Sequence, residues 1–193
     1  MISILAVLKD GTTPEMATIG PEGVVGVVPM LGSREAFGRY LVQVPGRASR
    51  IHFDDLQAAM ADRPRCRQLI FLYVQALVAQ TFQTVACNAS HPVEARCSRW
   101  ILTIHDSLGG GPLPLTHEFL AAMLAVQRPT VSIVTRTLQT AGLIKQQRGA
   151  ITVVDPAGLE EAACECYRHI RRRFDTLFPL IGAEPVSEIA EAE

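Results

Sequence analysis

The sequence predicts an α+β chain: a partial β-roll, then a long helix, then a C-terminal winged helix-turn-helix. Three observations carry that prediction. Glycine recurs at 20, 23, 26, 32, 38 and 46, between short apolar runs of the first 53 residues, as tight β-roll corners require. Residues 64–89 keep an apolar stripe at helical spacing. Residues 116–155 read as two short helices around a turn, followed at once by two β-rich runs.

Taken in order, strands are expected over residues 2–8, 16–19, 24–30, 40–44 and 50–53, with a hairpin turn at residues 9–12. A short helix over 54–61 precedes the long one. In the long helix, Leu69, Leu72, Tyr73, Ala76, Leu77 and Gln80 trace one stripe. By periodicity alone that stripe is either a dimer seam or a face packed on the roll. Residues 88–92 read as a hinge, with Ser90 capping and Pro92 opening a helix over 93–108 that buries Ala95, Trp100, Ile101 and Ile104. Three glycines and Pro112 then form a linker.

Thr116 is suited to cap the next helix, because its hydroxyl can accept a bond from a free first-turn N–H. Glu118, Phe119, Leu120, Met123 and Leu124 follow at helical spacing, and Ala125, Val126 and Gln127 make the turn. Pro129 falls in a first turn, where its missing N–H would be unpaired anyway. Val131, Val134 and Leu138 make an inward stripe, leaving Pro129, Ser132, Ile133 and Arg136 outward, flanked by Arg128 and Gln139. Small side chains with arginines on one helix face suit a major groove. Gly142 stops the helix. Residues 143–144 and 151–154 are β-rich around a turn at 147–150, so Lys145 and Arg148 lie on a wing that reaches phosphates. A last helix is expected over 157–178. Its Arg168, Arg171, Arg172 and Arg173 read first as a solvated face, with phosphate contact as the alternative. An acidic, disordered tail is expected over 179–193.

Composition narrows the function. The 193 residues are 48% hydrophobic and 19% charged, with net charge −1, so a sizeable core is expected rather than global disorder. Charge is uneven: residues 112–155 hold Arg128, Arg136, Lys145 and Arg148 against Glu118 and Asp155, four minus two. The apolar run at residues 70–79 is about half the length of a membrane span, and the apolar residues 2–8 lack the basic start of a signal peptide. The five cysteines match no zinc spacing, and Cys164 and Cys166, taken on one helix, point to different faces. Reduced thiols in the cytoplasm are the expectation. The five histidines are scattered, with no H-x-H or H-E-x-x-H pair, and no phosphate-binding glycine loop is present. An enzyme is not expected.

The segment LPLTHEFLAAMLAVQRPTVSIVTRTLQTAGLIKQQRGAITVVD, residues 113–155, resembles the DNA-binding domain of Crp/Fnr-type bacterial transcription regulators, and the order of elements upstream resembles that family too. The resemblance implies a cyclic-nucleotide-binding-like β-roll over 1–61, here shortened. It implies a dimerisation helix and hinge over 62–91 and a winged-helix domain with its C-terminal helix over 92–178. It favours the dimer reading of the stripe at Leu69, Leu72, Tyr73, Ala76, Leu77 and Gln80. The implied partners are double-stranded DNA with a two-fold symmetric site, a second copy of the chain, RNA polymerase and an effector of unknown identity, with no membrane. The implied DNA contacts are Thr116, Gln127, Arg128, Pro129, Thr130, Ser132, Ile133, Arg136, Lys145 and Arg148.

This chain departs from the family pattern at several positions. Pro129 and Ile133 replace a glutamate and an arginine that read bases, so a different operator is expected. Ala125 replaces a turn glycine, which implies a strained turn. Val27 stands where cyclic-nucleotide binders carry a ribose-binding carboxylate, and Arg34 and Arg39 are the only bases for a phosphate. Cyclic AMP is therefore not expected. The N-terminal cysteine cluster of iron–sulfur members is absent, so no such cluster is expected. Without DNA binding, the alternative is a small-molecule sensor or protein-interaction module.

Overall fold

A computed structural model describes residues 1–177. Phe178 and the expected acidic tail lie outside the described residues. The elements run β1 (Ile2–Leu5), β2 (Glu15–Ile19), α1 (Val27–Met30), β3 (Arg39–Val42), α2 (Phe53–Asp62), α3 (Pro64–Ser90), α4 (Val93–Leu108), β4 (Pro112–Leu113), α5 (His117–Leu124), α6 (Arg128–Thr140), β5 (Ile144–Gln147), β6 (Ala150–Val153), α7 (Pro156–Ala162) and α8 (Cys166–Leu177).

The N-terminal sheet has the order β2-β1-β3 and is antiparallel throughout. Ile2 pairs with Ile19 on one side and with Val42 on the other. Strand β1 ends at Leu5 rather than at residue 8. Beyond it, the two arms stay joined by bonds from Ala6 N to Pro14 O and from Leu8 N to Thr12 O, both 3.0 Å. Two expected strands are absent. The run at 24–30 forms the single-turn helix α1, because Gly26 takes φ 85 and turns the chain sharply, while Pro29 has no N–H for a ladder. Residues 50–53 form no strand, and Phe53 already belongs to α2.

Helix α3 has 27 residues, about 40 Å at 1.5 Å per residue, and so extends well beyond the apolar run at 70–79. Pro64 sits in its first turn, where no N–H is needed. It is long and apolar enough to cross a membrane, but its own chain buries 33% of its most apolar 18-residue stretch. The burying partners are α2, β2 and α8. Gln80 reaches the sheet and donates to Thr18 Oγ1 at 2.9 Å.

The break between α3 and α4 falls at His91–Pro92. Ser90 is the last residue of α3, not a cap, and Pro92 is the N-cap of α4. Helix α4 is the hub of the main core: Trp100, Ile101, Leu102 and Ile104 are all at most 2% exposed. They pack with Leu5 of the sheet and with Leu120, Val131, Leu138 and Ile151 of the winged domain. The Trp100 and Phe119 rings meet edge-on at 5.7 Å.

The last expected helix is two. Asp155 caps α7 by accepting from Gly158 N at 3.0 Å, and the chain leaves helical geometry at Ala163, ψ 159. Helix α8 then packs along α3. The interruption turns Cys164 and Cys166 toward the same point instead of opposite faces, beside Cys87 and His91.

Candidate nucleic-acid interface

The capping expected from sequence is present: Thr116 Oγ1 accepts from Phe119 N at 3.1 Å. Helix α5 ends in a Schellman arrangement, with Val126 N bonded to Ala121 O and Ala125 N to Ala122 O. This closure needs a left-handed residue, and Ala125 supplies it at φ 52, ψ 49. Arg96 of α4 donates to Leu124 O at 3.1 Å, satisfying a carbonyl that the helix end leaves free. The same closure ends α6, with Leu143 N on Leu138 O and Gly142 N on Gln139 O, both 3.0 Å. There the left-handed residue is Gly142, φ 78.

Helix α6 divides its faces as its periodicity requires. Val131, Val134 and Leu138 are at most 4% exposed, and Thr135 is fully buried beside them. On the other face Arg128, Pro129, Ile133, Arg136 and Gln139 are exposed, and Thr130 and Ser132 are partly so. Ile133 is 66% exposed, a large apolar side chain presented to solvent. Gln127 is the N-cap residue of α6 and is exposed.

The wing has three strands rather than two. β5 and β6 form the hairpin, with Gln147 opposite Ala150 and Gly149 at φ 76 in the turn. β4 adds to β6 through Pro112↔Thr152 and Leu113↔Ile151. Two residues, one of them proline, are too short to show a strand period, so nothing in the sequence marks β4. Lys145 and Arg148 are exposed on the hairpin.

His117 is partly buried and ties three elements together. Its Nδ1 lies 3.0 Å from Ser132 Oγ, and its Nε2 lies 2.8 Å from Gln146 Oε1 and 3.2 Å from Thr135 Oγ1. Gln139 Oε1 also accepts from Gln146 N at 2.8 Å. Helix α6 and the wing are therefore held in fixed relation by side chains. Arg128 Nε pairs with Glu118 Oε1 at 2.8 Å, both side chains more than 60% exposed. Such a pair contributes about 1 kcal/mol or less, so another polar partner can displace it.

The stripe expected at a dimer seam points largely inward. Tyr73, Ala76, Leu77 and Gln80 are at most 6% exposed within one chain, and Leu69 and Leu72 are partly buried. The apolar face that α3 leaves open carries Phe71, Val78, Phe82 and Val85, between 41% and 71% exposed. In the sheet domain Val27 is 2% exposed inside the core of α1 and α3. Arg34 pairs with Asp54, and Arg39 is exposed on β3.

Residues 95–162 match the family model for the Crp-like helix-turn-helix domain. No curated protein matches the chain by sequence. Among solved structures, a CRP/FNR-family transcriptional regulator from Thermus thermophilus superposes with TM-score 0.60 at 20% identity, over 84% of this chain and 82% of that one. FixK2 from Bradyrhizobium japonicum gives 0.61 at 12% identity, over 84% and 83%. The c-di-GMP-responsive global regulator of Xanthomonas campestris gives 0.59 at 18% identity, over 79% of each chain. The sheet, long helix and winged domain thus make up the fold of Crp/Fnr regulators, and within it residues 95–162 belong to the Crp-like helix-turn-helix family.

Proposed function

We propose that this chain is a cytoplasmic transcription regulator that binds a two-fold symmetric DNA site as a homodimer. The observation that carries this reading is the outward face of α6: Arg128, Pro129, Thr130, Ser132, Ile133 and Arg136 stand on a helix whose other face is fully packed. Such a helix enters a major groove with its N-terminal residues nearest the base edges. Arg128 reads a guanine through its fork, and Ile133 makes an apolar contact of the kind a thymine methyl accepts. Gln127, at the helix start, and Thr116, at the start of α5, reach backbone or base. Lys145 and Arg148, on the hairpin, neutralise phosphates.

The open face of α3 supports the homodimer. Phe71, Gln75, Val78, Phe82, Val85 and Ala89 follow one another at intervals of four and three and are all exposed. That alternation is the heptad pattern of a two-helix seam. A dimer would set two copies of α6 on half-sites about one helical turn apart. Cyclic AMP does not control the protein in this reading, because the buried Val27 side chain offers no ribose contact. The effector has another chemistry, and RNA polymerase is the partner on promoter DNA.

Duplexes selected from random DNA test the reading, with wild type, Arg128→Ala and Arg148→Ala compared across a salt series. Arg128→Ala should lose about 1–3 kcal/mol of discrimination at one symmetric position per half-site. Arg148→Ala should weaken all sequences alike and lower the salt slope by about one unit per protomer. Binding with no salt dependence, or none at all, would turn the reading toward an interaction module.

A further inference from the structure

Where α3 ends and α7 gives way to α8, four side chains converge that DNA binding does not use. Cys87 lies in the last turn of α3, and His91, four residues on, is its C-cap. Cys164 and Cys166 flank Glu165 in the interruption before α8. The three thiols and the imidazole nitrogen all lie within 4.8 Å of one another. Cys87 Sγ is 3.4 Å from Cys164 Sγ, and Cys166 Sγ is 3.5 Å from His91 Nδ1. The three cysteines are buried and His91 is partly buried.

We infer that Cys87, His91, Cys164 and Cys166 form a structural zinc site that clamps the C-terminal helix to the end of α3. A tetrahedral zinc with Zn–S of about 2.3 Å and Zn–N of about 2.05 Å needs sulfurs about 3.8 Å apart and sulfur–nitrogen pairs about 3.6 Å apart. The Cys87–Cys164 and Cys166–His91 separations are close to these values, and every other pair lies within 4.8 Å. Three cysteines and one histidine, with no open position, make one of the usual closed zinc sets. An iron–sulfur cluster attaches each thiolate to its own iron or shares a pair on one, and so needs its ligands spread more widely.

The surroundings suit a bound cation as well as the ligands do. His91 turns Nδ1 to the thiols, and its Nε2 lies 3.2 Å from Glu165 Oε1. This is the carboxylate–histidine–metal relay that fixes a ligating ring. Gln83 Nε2 donates to Cys166 Sγ at 3.0 Å, which a thiolate accepts well. Three thiolates around a divalent ion leave one net negative charge. Arg99, only 6% exposed and with an unpartnered Nε, lies within electrostatic reach of Cys87 to balance it. On binding, three S–H bonds break, three Zn–S bonds and one Zn–N bond form, and three protons leave to solvent with no change of oxidation state.

The clamp closes around the His91–Pro92 break, so it fixes the winged domain against the long helix. Its test is independent of DNA. The untagged full chain, purified without chelator, should carry one zinc per chain by mass spectrometry of the metal. Cobalt in its place should give the visible bands of a tetrahedral site with thiolate charge transfer in the near ultraviolet. Cys164→Ser and Cys166→Ser should lose the zinc, and Glu165→Gln should weaken it by roughly ten- to a hundredfold. Cys66→Ser, at the opposite end of α3 from the cluster, should keep it. Titration of wild-type apoprotein with cobalt decides the matter even where a cysteine variant does not fold. Apoprotein that takes up neither cobalt nor zinc, a Cys87–Cys164 disulfide in freshly purified protein, iron with sulfide in place of zinc, or full zinc retention in Cys164→Ser would each overturn the inference.

Discussion

Ala125, like Arg34, is a non-glycine residue that takes a positive φ. A Cβ in the left-handed region costs about 1–2 kcal/mol, yet the closure of α5 requires that conformation. The side chain is exposed, so removing its methyl gives up little burial. Glycine loses more chain entropy on folding, which offsets the gain by about 0.4–1 kcal/mol. Ala125→Gly should therefore stabilise the protein by about 1 kcal/mol or somewhat less, raising the melting midpoint by roughly 2–4 °C for a chain of this size. Calorimetry checks this, and an unchanged or lowered midpoint would mean that the turn is held without strain. Arg128 shows a different economy at the same scale. Its exposed pair with Glu118 is weak enough to break when the side chain takes another partner.

At the scale of elements, the joint between the N-terminal sheet and α4 turns on one buried carboxylate. Glu15 is 6% exposed on β2 and accepts from Trp100 Nε1 of α4 at 2.9 Å, from Gln43 Nε2 at 3.1 Å and from Ser3 Oγ. Burial raises its pKa above the usual carboxylate value; the hydrogen bonds and the nearby Arg99 oppose that rise without cancelling it. The folded chain then binds more protons than the unfolded chain between the ordinary and the raised values. Stability should fall as pH rises through that window and level off above it, the reverse of a salt-bridged carboxylate. Glu15→Gln should flatten this part of the profile, since an amide oxygen still accepts from Trp100. Its new NH₂ would face Gln43 Nε2, and the Gln43 amide must turn over to offer its buried, unpartnered Oε1 as the acceptor. Urea midpoints from pH 4 to 8 for both proteins decide it, and parallel profiles would remove Glu15 as their source.

Elements that announce themselves by period and cap were legible in the sequence. Thr116, Pro129 and Gly142 mark α5 and α6, and the stripe of Val131, Val134 and Leu138 sets their faces. Helix α1 was not legible, because an apolar run reads as a strand until Gly26 bends it and Pro29 withholds an N–H. The cysteine–histidine cluster was hidden for another reason. Cys87 and Cys164 are 77 residues apart, and the thiols of Cys164 and Cys166 share a direction only because the helix breaks between Ala163 and Glu165.

At the scale of the whole molecule, one question is what covers α3. The inner stripe of Tyr73, Ala76 and Leu77 serves the chain's own core, so it does not distinguish a monomer from a dimer. The outer stripe is the surface that the proposed dimer would cover. Phe82 and Val85 are 71% and 65% exposed, and Phe71 lies further along the same seam at 52%. Contiguous apolar surface of this kind marks an interface in a soluble protein, and the four-three spacing matches a second α3 laid alongside. Phe82→Glu places a charge in the middle of that seam without touching the core, so the variant should keep its helicity and its melting cooperativity. Sedimentation equilibrium at tens of micromolar should show wild type as a dimer and Phe82→Glu as a monomer. Because a dimer engages two half-sites at once, the monomer should lose far more affinity for a symmetric site than for an isolated half-site. Tyr73→Glu, by contrast, should unfold the chain, since it places a charge where the sheet packs. If Phe82→Glu still sediments as a dimer with unchanged affinity for the symmetric site, the seam lies elsewhere, and the outer face of α3 has another partner.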